Sequence, residues 1–491
     1  MISPLPPSTL RVLFLNPPDL QGGLWMKEVG RCGRKSIGGE IWPQTGLAYL
    51  AAMAERARAE VFLLDGMVDS LSLEDLVEKA RKVWRPHLII ANSATPTLRN
   101  DAVILERLRE ATDALCGFAG PHVSALPEET LRDTSADFGL INEAEDTVAE
   151  MVRALSEGNE ISSIPGIVYR NMHTGEIVVN PPRPLIHELD SLPLPARHLL
   201  PNDKYRMPFF ADHPFATLIP NRGCPWPCTF CRAGRVWGKK VRQRSVANVM
   251  AEIKELGERY GIHHLAFMTD SLTLKKDWAQ DLFENLLALP QPIEWVCNSR
   301  VDAVDPDLLR LMRQAGCKMI SYGLESGSQV VLDACKKGIS LEQSERAIRL
   351  TREAGIPSMG YFILGLPGET RQTVQESIAF AKRIAPDYVN FHIATPFPGT
   401  ELFEQAVANN WLTSTDWNDF EEEGAAVMQV GELTIPELES LQKQAMRAFY
   451  MRPSKIFQEL ARLRSWPDFK AKAKAGLRML ATLGGKKKNK I

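Results

Sequence analysis

The sequence predicts an α/β protein in three parts: a doubly wound, Rossmann-like parallel sheet, a partial (βα)6 barrel, and a helical extension. Three observations predict it. At 491 residues the chain is too long for a single core. Short apolar runs alternate with amphipathic helical patterns in two blocks, about 10–155 and 213–405, and buried strands separated by helices pair in parallel through right-handed crossovers. A proline-rich stretch, 156–212, lies between the blocks and reads as an ordered connector.

In the first block the strands are read at Arg11–Leu15, Val61–Leu64, His87–Ala91, Leu115–Ala119 and Phe138–Ile141, each followed by a helical pattern such as Ser72–Val83. Ligands of such sheets sit beyond the strands' carboxyl ends. That singles out NPP (16–18), LDG (64–66), NSATPT (92–97), GPHVS (120–124) and NEAED (142–146). The connector contains a hairpin pattern, GIVYRNMHTGEIVVN, turning at His173–Gly175.

The second block repeats strand and helix six times, with strands near Ala216–Ile219, Leu265–Thr269, Ile293–Cys297, Met319–Gly323, Gly360–Leu364 and Tyr388–Ala394. Ser245 caps one helix, whose apolar stripe is Val246, Val249, Met250, Ile253 and Leu256. Asp305-Pro306 starts another as cap and first residue. Chemistry belongs at the strand carboxyl ends. In the extension, 406–491, DFEEE (419–423) reads as a solvated face and helices are expected over Pro436–Tyr450 and Pro453–Leu463, with Phe449 and Tyr450 packed on the barrel.

Composition is that of an ordinary globular protein, 44% hydrophobic and 24% charged, and a net charge of -2 supplies no global field for nucleic acid. The first residues lack a signal-peptide pattern, and no apolar run is long enough to span a bilayer. A cytoplasmic location is the expectation. There thiols stay reduced, and clustered cysteines indicate a metal. The tail 470–490, eight Lys or Arg with no acid, is read either as a disordered basic terminus or as a peripheral contact with an anionic membrane.

Three of the eight cysteines, Cys224, Cys228 and Cys231, fall within NRGCPWPCTFCRAG, just after the first strand of the second block. A structural zinc site normally takes paired ligands and a second pair elsewhere. Here the spacing is C-x3-C-x2-C, with no His or fourth Cys nearby in sequence. Three thiolates leave one iron of a four-iron cluster without a protein ligand.

That motif resembles the radical S-adenosylmethionine (radical SAM) signature, and the resemblance extends along the chain. CNSRVDAVDPDLLRLMRQAGC and YGLESG are similar to the family's later strand segments, while GLPGET and TPFPGTELF match landmarks of the branch that carries a cobalamin-binding domain ahead of the barrel. In the first block WPQTGLAYLAA, GPHVSALPEETL and NEAEDTVAEMV resemble that domain's elements, with Asn142 in the place of a glycine. The resemblance implies a [4Fe-4S] cluster on Cys224, Cys228 and Cys231. It implies S-adenosylmethionine contacts from Phe230, Asp270, Ser299, Arg300 and Glu325, although in MTDSLTL Ser271 replaces the second of the family's paired acids. The ordinary alternative for Arg300 and Glu325 is an ion pair.

The resemblance also implies cobalamin in residues 1–155. Ser93, Thr95, Gly120 and His122 are the candidates to hold it; simple loop roles are the alternative. No D-x-H-x-x-G is present, so His87 and His122 are not expected to ligate cobalt. In the branch the cluster delivers an electron to the sulfonium, and the radical formed takes hydrogen from unactivated carbon. The outcome is methylation through cobalamin or, in some relatives, ring closure. A small-molecule or lipid-like substrate and an electron donor such as flavodoxin or ferredoxin would be the partners. A sensor or electron-transfer module without turnover is the reading from another class.

Overall fold

The computed structural model describes residues 9–461, apart from 28–32, 37, 38, 70, 211, 212 and 423. The basic tail, and with it the membrane expectation, lies outside the described residues. The first sheet contains β1 (Arg11–Asn16), β2 (Glu60–Asp65), β3 (Leu88–Asn92), β4 (Leu115–Ala119), β5 (Phe138–Leu140), β6 (Ile167–Arg170) and β7 (Ile177–Val179) in spatial order β2-β1-β3-β4-β5-β6-β7. The first five are parallel. β6 and β7 are the hairpin of the proline-rich segment, and β6 pairs antiparallel with β5. The connector therefore widens the first sheet.

Alternation along the strands explains the double winding. Val12 and Phe14 join Leu88 and Ile90 in a core with Leu47, Met151 and Val152 on one face. Leu13 and Leu15 join Ile89 and Ala91 in a core with Leu76, Ile104 and Leu108 on the other. Successive side chains of a strand point to opposite faces, so a continuous apolar run needs helices on both.

The second sheet is an open six-stranded barrel in sequential order: β8 (Ala216–Leu218), β9 (His264–Phe267), β10 (Glu294–Ser299), β11 (Cys317–Glu325), β12 (Ser358–Leu364) and β13 (Tyr388–Ile393), all parallel. Ser245 accepts from Asn248 N, and Asp305 from Asp307 N and Leu308 N, as their positions predict. Ala266, Val296 and Met319 alternate with residues of the main barrel core and pack instead on Leu200, Tyr205, Met207 and Phe210 of the connector and Ala48 of the first unit. The connector thus lies between the two units.

Two buried ionic groups tie the barrel to the chain before it, one to the first unit and one to the connector. Glu143 takes both Nη groups of Arg242 at 2.7 Å and Arg222 at 3.3 Å, while Glu252 joins Arg197 and Arg244. After the barrel, Phe420 of the DFEEE run is buried with Phe397 and Val427, so that run is only partly solvated. Helix Ile435–Tyr450 returns to the barrel, where Phe449 enters the core and the Tyr450 hydroxyl donates to Val389 O at 2.7 Å. Among the described residues no helix is long and apolar enough to cross a membrane.

Candidate active site

Beyond β8 the chain turns into the cysteine loop. Gly223 (φ +96°) makes that turn, and a Cβ there would fall 2.3 Å from Lys240 O. Cys224 N donates to Gly238 O at 3.1 Å and Cys231 N to Cys228 O at 3.2 Å. Thr229 ties the loop outward: its N–H donates to Cys335 O at 3.0 Å and its carbonyl accepts from Leu402 N at 2.8 Å. Cys335, remote in sequence, is thus a fourth cysteine beside the loop.

Burial, with Asp270 adding to it, pushes the Cys224 thiol up to about 11 and raises Cys231 as well. Burial also raises Cys228, against the opposing charges of Lys337 and Arg300. Thiols held this way become thiolates only when a metal displaces their protons. Among the described residues no three Cys, His, Asp or Glu side chains converge on a point for one metal ion.

The residues expected around S-adenosylmethionine gather at the same end of the barrel. Arg300 stacks on Trp226 of the cysteine loop, 3.8 Å from the ring centre, and its fork meets Asp302 in two contacts of 2.9 Å. Glu325, at the end of β11, pairs with Lys337 at 2.6 Å. Arg300 and Glu325 therefore do not pair with each other. Ser299 is buried against Thr273 Oγ1 at 2.5 Å, Asp270 is exposed at the lip of the interdomain cleft, and Phe230 packs beside Val331, Leu366 and Leu402. Trp226 and Lys337 escaped the reading of the sequence. A lysine in CKKG (335–338) reads as solvated until the fold turns it inward.

Ser93, Thr95, Gly120 and His122 come together at the carboxyl ends of β3 and β4. Ser93 N donates to Ala119 O at 2.9 Å, and Thr95 Oγ1 lies 3.2 Å from His122 Nδ1. Gly120 (φ +123°) leaves no room for a side chain, since a Cβ would sit 2.2 Å from Ser93 O. Burial, with Arg232 nearby, pushes the His122 imidazole down to about 3, so the ring is neutral at ordinary pH. It meets Trp417 edge-on at 5.1 Å. His87 is at the opposite end of β3, accepting from Arg11 N at 3.1 Å.

The two sets of loops touch. Arg232, next to Cys231, donates to Pro121 O, next to His122. A cleft of about 630 Å³, part of it open to solvent, runs between the units and is lined by Lys27, Gln44, Leu47, Asn221, Trp237 and Asp270 among others. A second space of about 380 Å³ shares Gly46, Ile219 and Trp237 with it and reaches Gly120 and Asn142.

Two family profiles match this chain: the B12 binding domain over residues 36–152 and the Radical SAM superfamily over 218–381. An uncharacterized methyltransferase of Pyrococcus horikoshii is 35% identical over 87% of this chain and 92% of its own length. The anaerobic magnesium-protoporphyrin IX monomethyl ester cyclase of Rubrivivax gelatinosus is 28% identical over 81% and 70%. The hopanoid C-3 methylase of Methylococcus capsulatus is 26% identical over 80% and 73%. In fold, the chain is similar to the radical S-adenosylmethionine methyltransferase TsrM from Kitasatospora setae, with a TM-score of 0.70 at 19% identity, covering 91% of this chain and 90% of that one.

The residues present fit the three cofactors these matches bring. Three cysteines suit a cluster with one open iron. Asn92 Oδ1, Ser93 Oγ and His122 Nε2 are buried without a hydrogen-bond partner in the structure, and buried polar atoms require one. The amide-fringed edge of a corrin supplies such partners. Its cofactors being a [4Fe-4S] cluster, S-adenosylmethionine and cobalamin, the chain belongs to the radical SAM enzymes with a B12-binding domain, the family of cobalamin-dependent methyltransferases and anaerobic cyclases.

Proposed function

We propose that this enzyme methylates an unactivated carbon of a lipid, isoprenoid or tetrapyrrole-type substrate held in the cleft between the two units. The observation that carries the reading is the lining of that cleft by both units, from Lys27, Gln44 and Leu47 on one side to Asn221 and Asp270 on the other. When bound, cobalamin supplies a methyl group and the cluster with S-adenosylmethionine supplies hydrogen abstraction. The protein's own residues arrange the meeting. Cys224, Cys228 and Cys231 would hold the cluster; Phe230, Asp270, Ser299, Arg300 and Glu325 would orient S-adenosylmethionine; Ser93, Thr95, Gly120 and His122 would hold cobalamin. Pro43, Leu47, Ile219, Trp237 and Met268 offer an apolar wall that suits a ring or chain and excludes water.

Hopanoid and tetrapyrrole chemistry in two relatives supports the substrate class. A reduced flavodoxin or ferredoxin is the electron donor in this reading, and the location is cytoplasmic. Met451, Ile456 and Phe457, exposed ahead of the basic tail, support peripheral contact with the inner face of an anionic membrane. Anaerobic incubation with candidate lipids and tetrapyrroles, followed by product mass, tests the reaction. One added methylene mass is expected. Loss of hydrogen without added carbon would establish the second reading, ring closure, which the cyclase relative favours. A reduced holoprotein that releases no 5'-deoxyadenosine from S-adenosylmethionine would overturn both in favour of a binding module.

A further inference from the structure

The loop Cys335–Gly338 follows helix Gln329–Ala334 and passes behind the cysteine loop. Its two lysines diverge. Lys336, at φ +55°, reaches outward to Glu401, with contacts of 2.7 and 2.9 Å. Lys337 turns inward, is 8% exposed, and donates from Nζ to Glu325 Oε1 at 2.6 Å.

The main chain of the same loop holds its surroundings. Cys335 O accepts from Thr229 N, the residue after Cys228, at 3.0 Å. Lys337 O and Gly338 O accept from Arg300 Nη1 and Nη2, each at 3.3 Å. A Cβ on Gly338 would sit 3.6 Å from Trp226, the ring on which Arg300 stacks. Four residues thus reach the cysteine loop, Arg300 and Glu325 together.

Glu325 requires such a hold. It sits at φ +61°, in the left-handed region where the Cβ of a non-glycine residue crowds the main chain. A Cβ on Gly323 would lie 2.7 Å from Lys337 Nζ and 2.3 Å from Glu325 Oε1, so the pair occupies the space that glycine leaves.

We infer that Lys337 is the positioning residue of the S-adenosylmethionine site, fixing the Glu325 carboxylate at the barrel mouth and setting a permanent positive charge behind Cys228. The inference rests on the radical SAM reading above and adds the group that sets the site's charge. A simple scaffold role predicts something different, because shape alone would not distinguish a charged from an uncharged side chain at this position.

The test uses the reconstituted full-length protein with two readouts: the cluster's midpoint potential, followed by electron paramagnetic resonance, and the KM and kcat of S-adenosylmethionine cleavage. Lys337→Met removes a positive charge beside the cluster and leaves Glu325 unbalanced, so the potential moves to more negative values. KM for S-adenosylmethionine rises roughly tenfold or more, the scale of a lost charge-assisted hydrogen bond, with a smaller change in kcat. Lys337→Arg restores the potential and most of the KM. The neutral pair Lys337→Met with Glu325→Gln buries no lone charge, so it folds even where the single variant fails; its potential returns toward the parent while KM stays high. A potential unmoved in the single variant, a KM unmoved in the paired variant, or Lys337→Arg no better than Lys337→Met would overturn the inference. If the parent protein itself cleaves no S-adenosylmethionine, the functional reading falls, and the potentials still decide the role of Lys337.

Discussion

Cys224, Cys228 and Cys231 stand out in the sequence because spacing and residue type alone mark them, and nothing about the fold is needed to see a C-x3-C-x2-C motif. Replacing any one by Ala is expected to abolish the cluster's absorbance and S-adenosylmethionine cleavage while circular dichroism stays unchanged, since the barrel core contains none of the three. His122 and His87 yield a second expectation. Reconstituted Co(II) protein should show no nitrogen splitting from a protein histidine, because His87 is at the far end of β3 and the chain carries no D-x-H-x-x-G; a splitting from His122, whose Nε2 is left without a partner, would overturn this. Lys337 was not legible, since inward and outward lysines look alike in CKKG. Nor was Glu369, whose carboxyl is 4% exposed and pushed by burial from 4.5 up to about 7. An acid that binds its proton more tightly when folded loses stability as pH rises from its unfolded value to its folded one. The unfolding free energy from urea titrations should therefore fall between about pH 4.5 and 7 by up to ~3 kcal/mol on this account, and Glu369→Gln should flatten that slope.

Among the elements, the helix starts at Ser245 and Asp305 follow from local hydrogen bonding, and the core strands from apolar runs that only a two-sided burial explains. Asn142, standing where the family's motif has glycine, takes φ +59°, which Asn tolerates better than most residues. What local pattern could not reveal was assembly. The hairpin's place beside β5 and the connector's place against Ala266, Val296 and Met319 depend on surfaces distant in sequence. The turn after β4 offers a direct check. Gly120→Ala pushes a methyl group into Ser93 O, so the loop must shift; a cost of about 1–3 kcal/mol in stability is expected, with weakened cobalamin binding read from the spectrum of the titrated protein.

Across the whole molecule, the barrel is tied to the first unit through Glu143 and to the connector through Glu252, each shared by two arginines. Removing one member of a buried ionic group leaves charges without a partner and costs about 3–5 kcal/mol. Glu143→Ala should lower the urea midpoint accordingly and open segment 156–212 to limited proteolysis, whereas an exposed pair such as Lys82–Glu78 should be silent in both measurements.

Trp417 packs on His122 and Asp416 pairs with Arg99 at 3.0 Å, so a segment beyond the barrel closes over loops made some three hundred residues earlier. Synthesis runs in one direction, and domains fold as they emerge. The first sheet can therefore form on the ribosome, but the wall over His122 cannot be set until Trp417 has left the exit tunnel. With cobalamin against His122, as proposed, loading would follow the making of the barrel and give the chain a built-in order of maturation: a nascent protein stalled before Trp417 should bind the vitamin weakly, and release should tighten it.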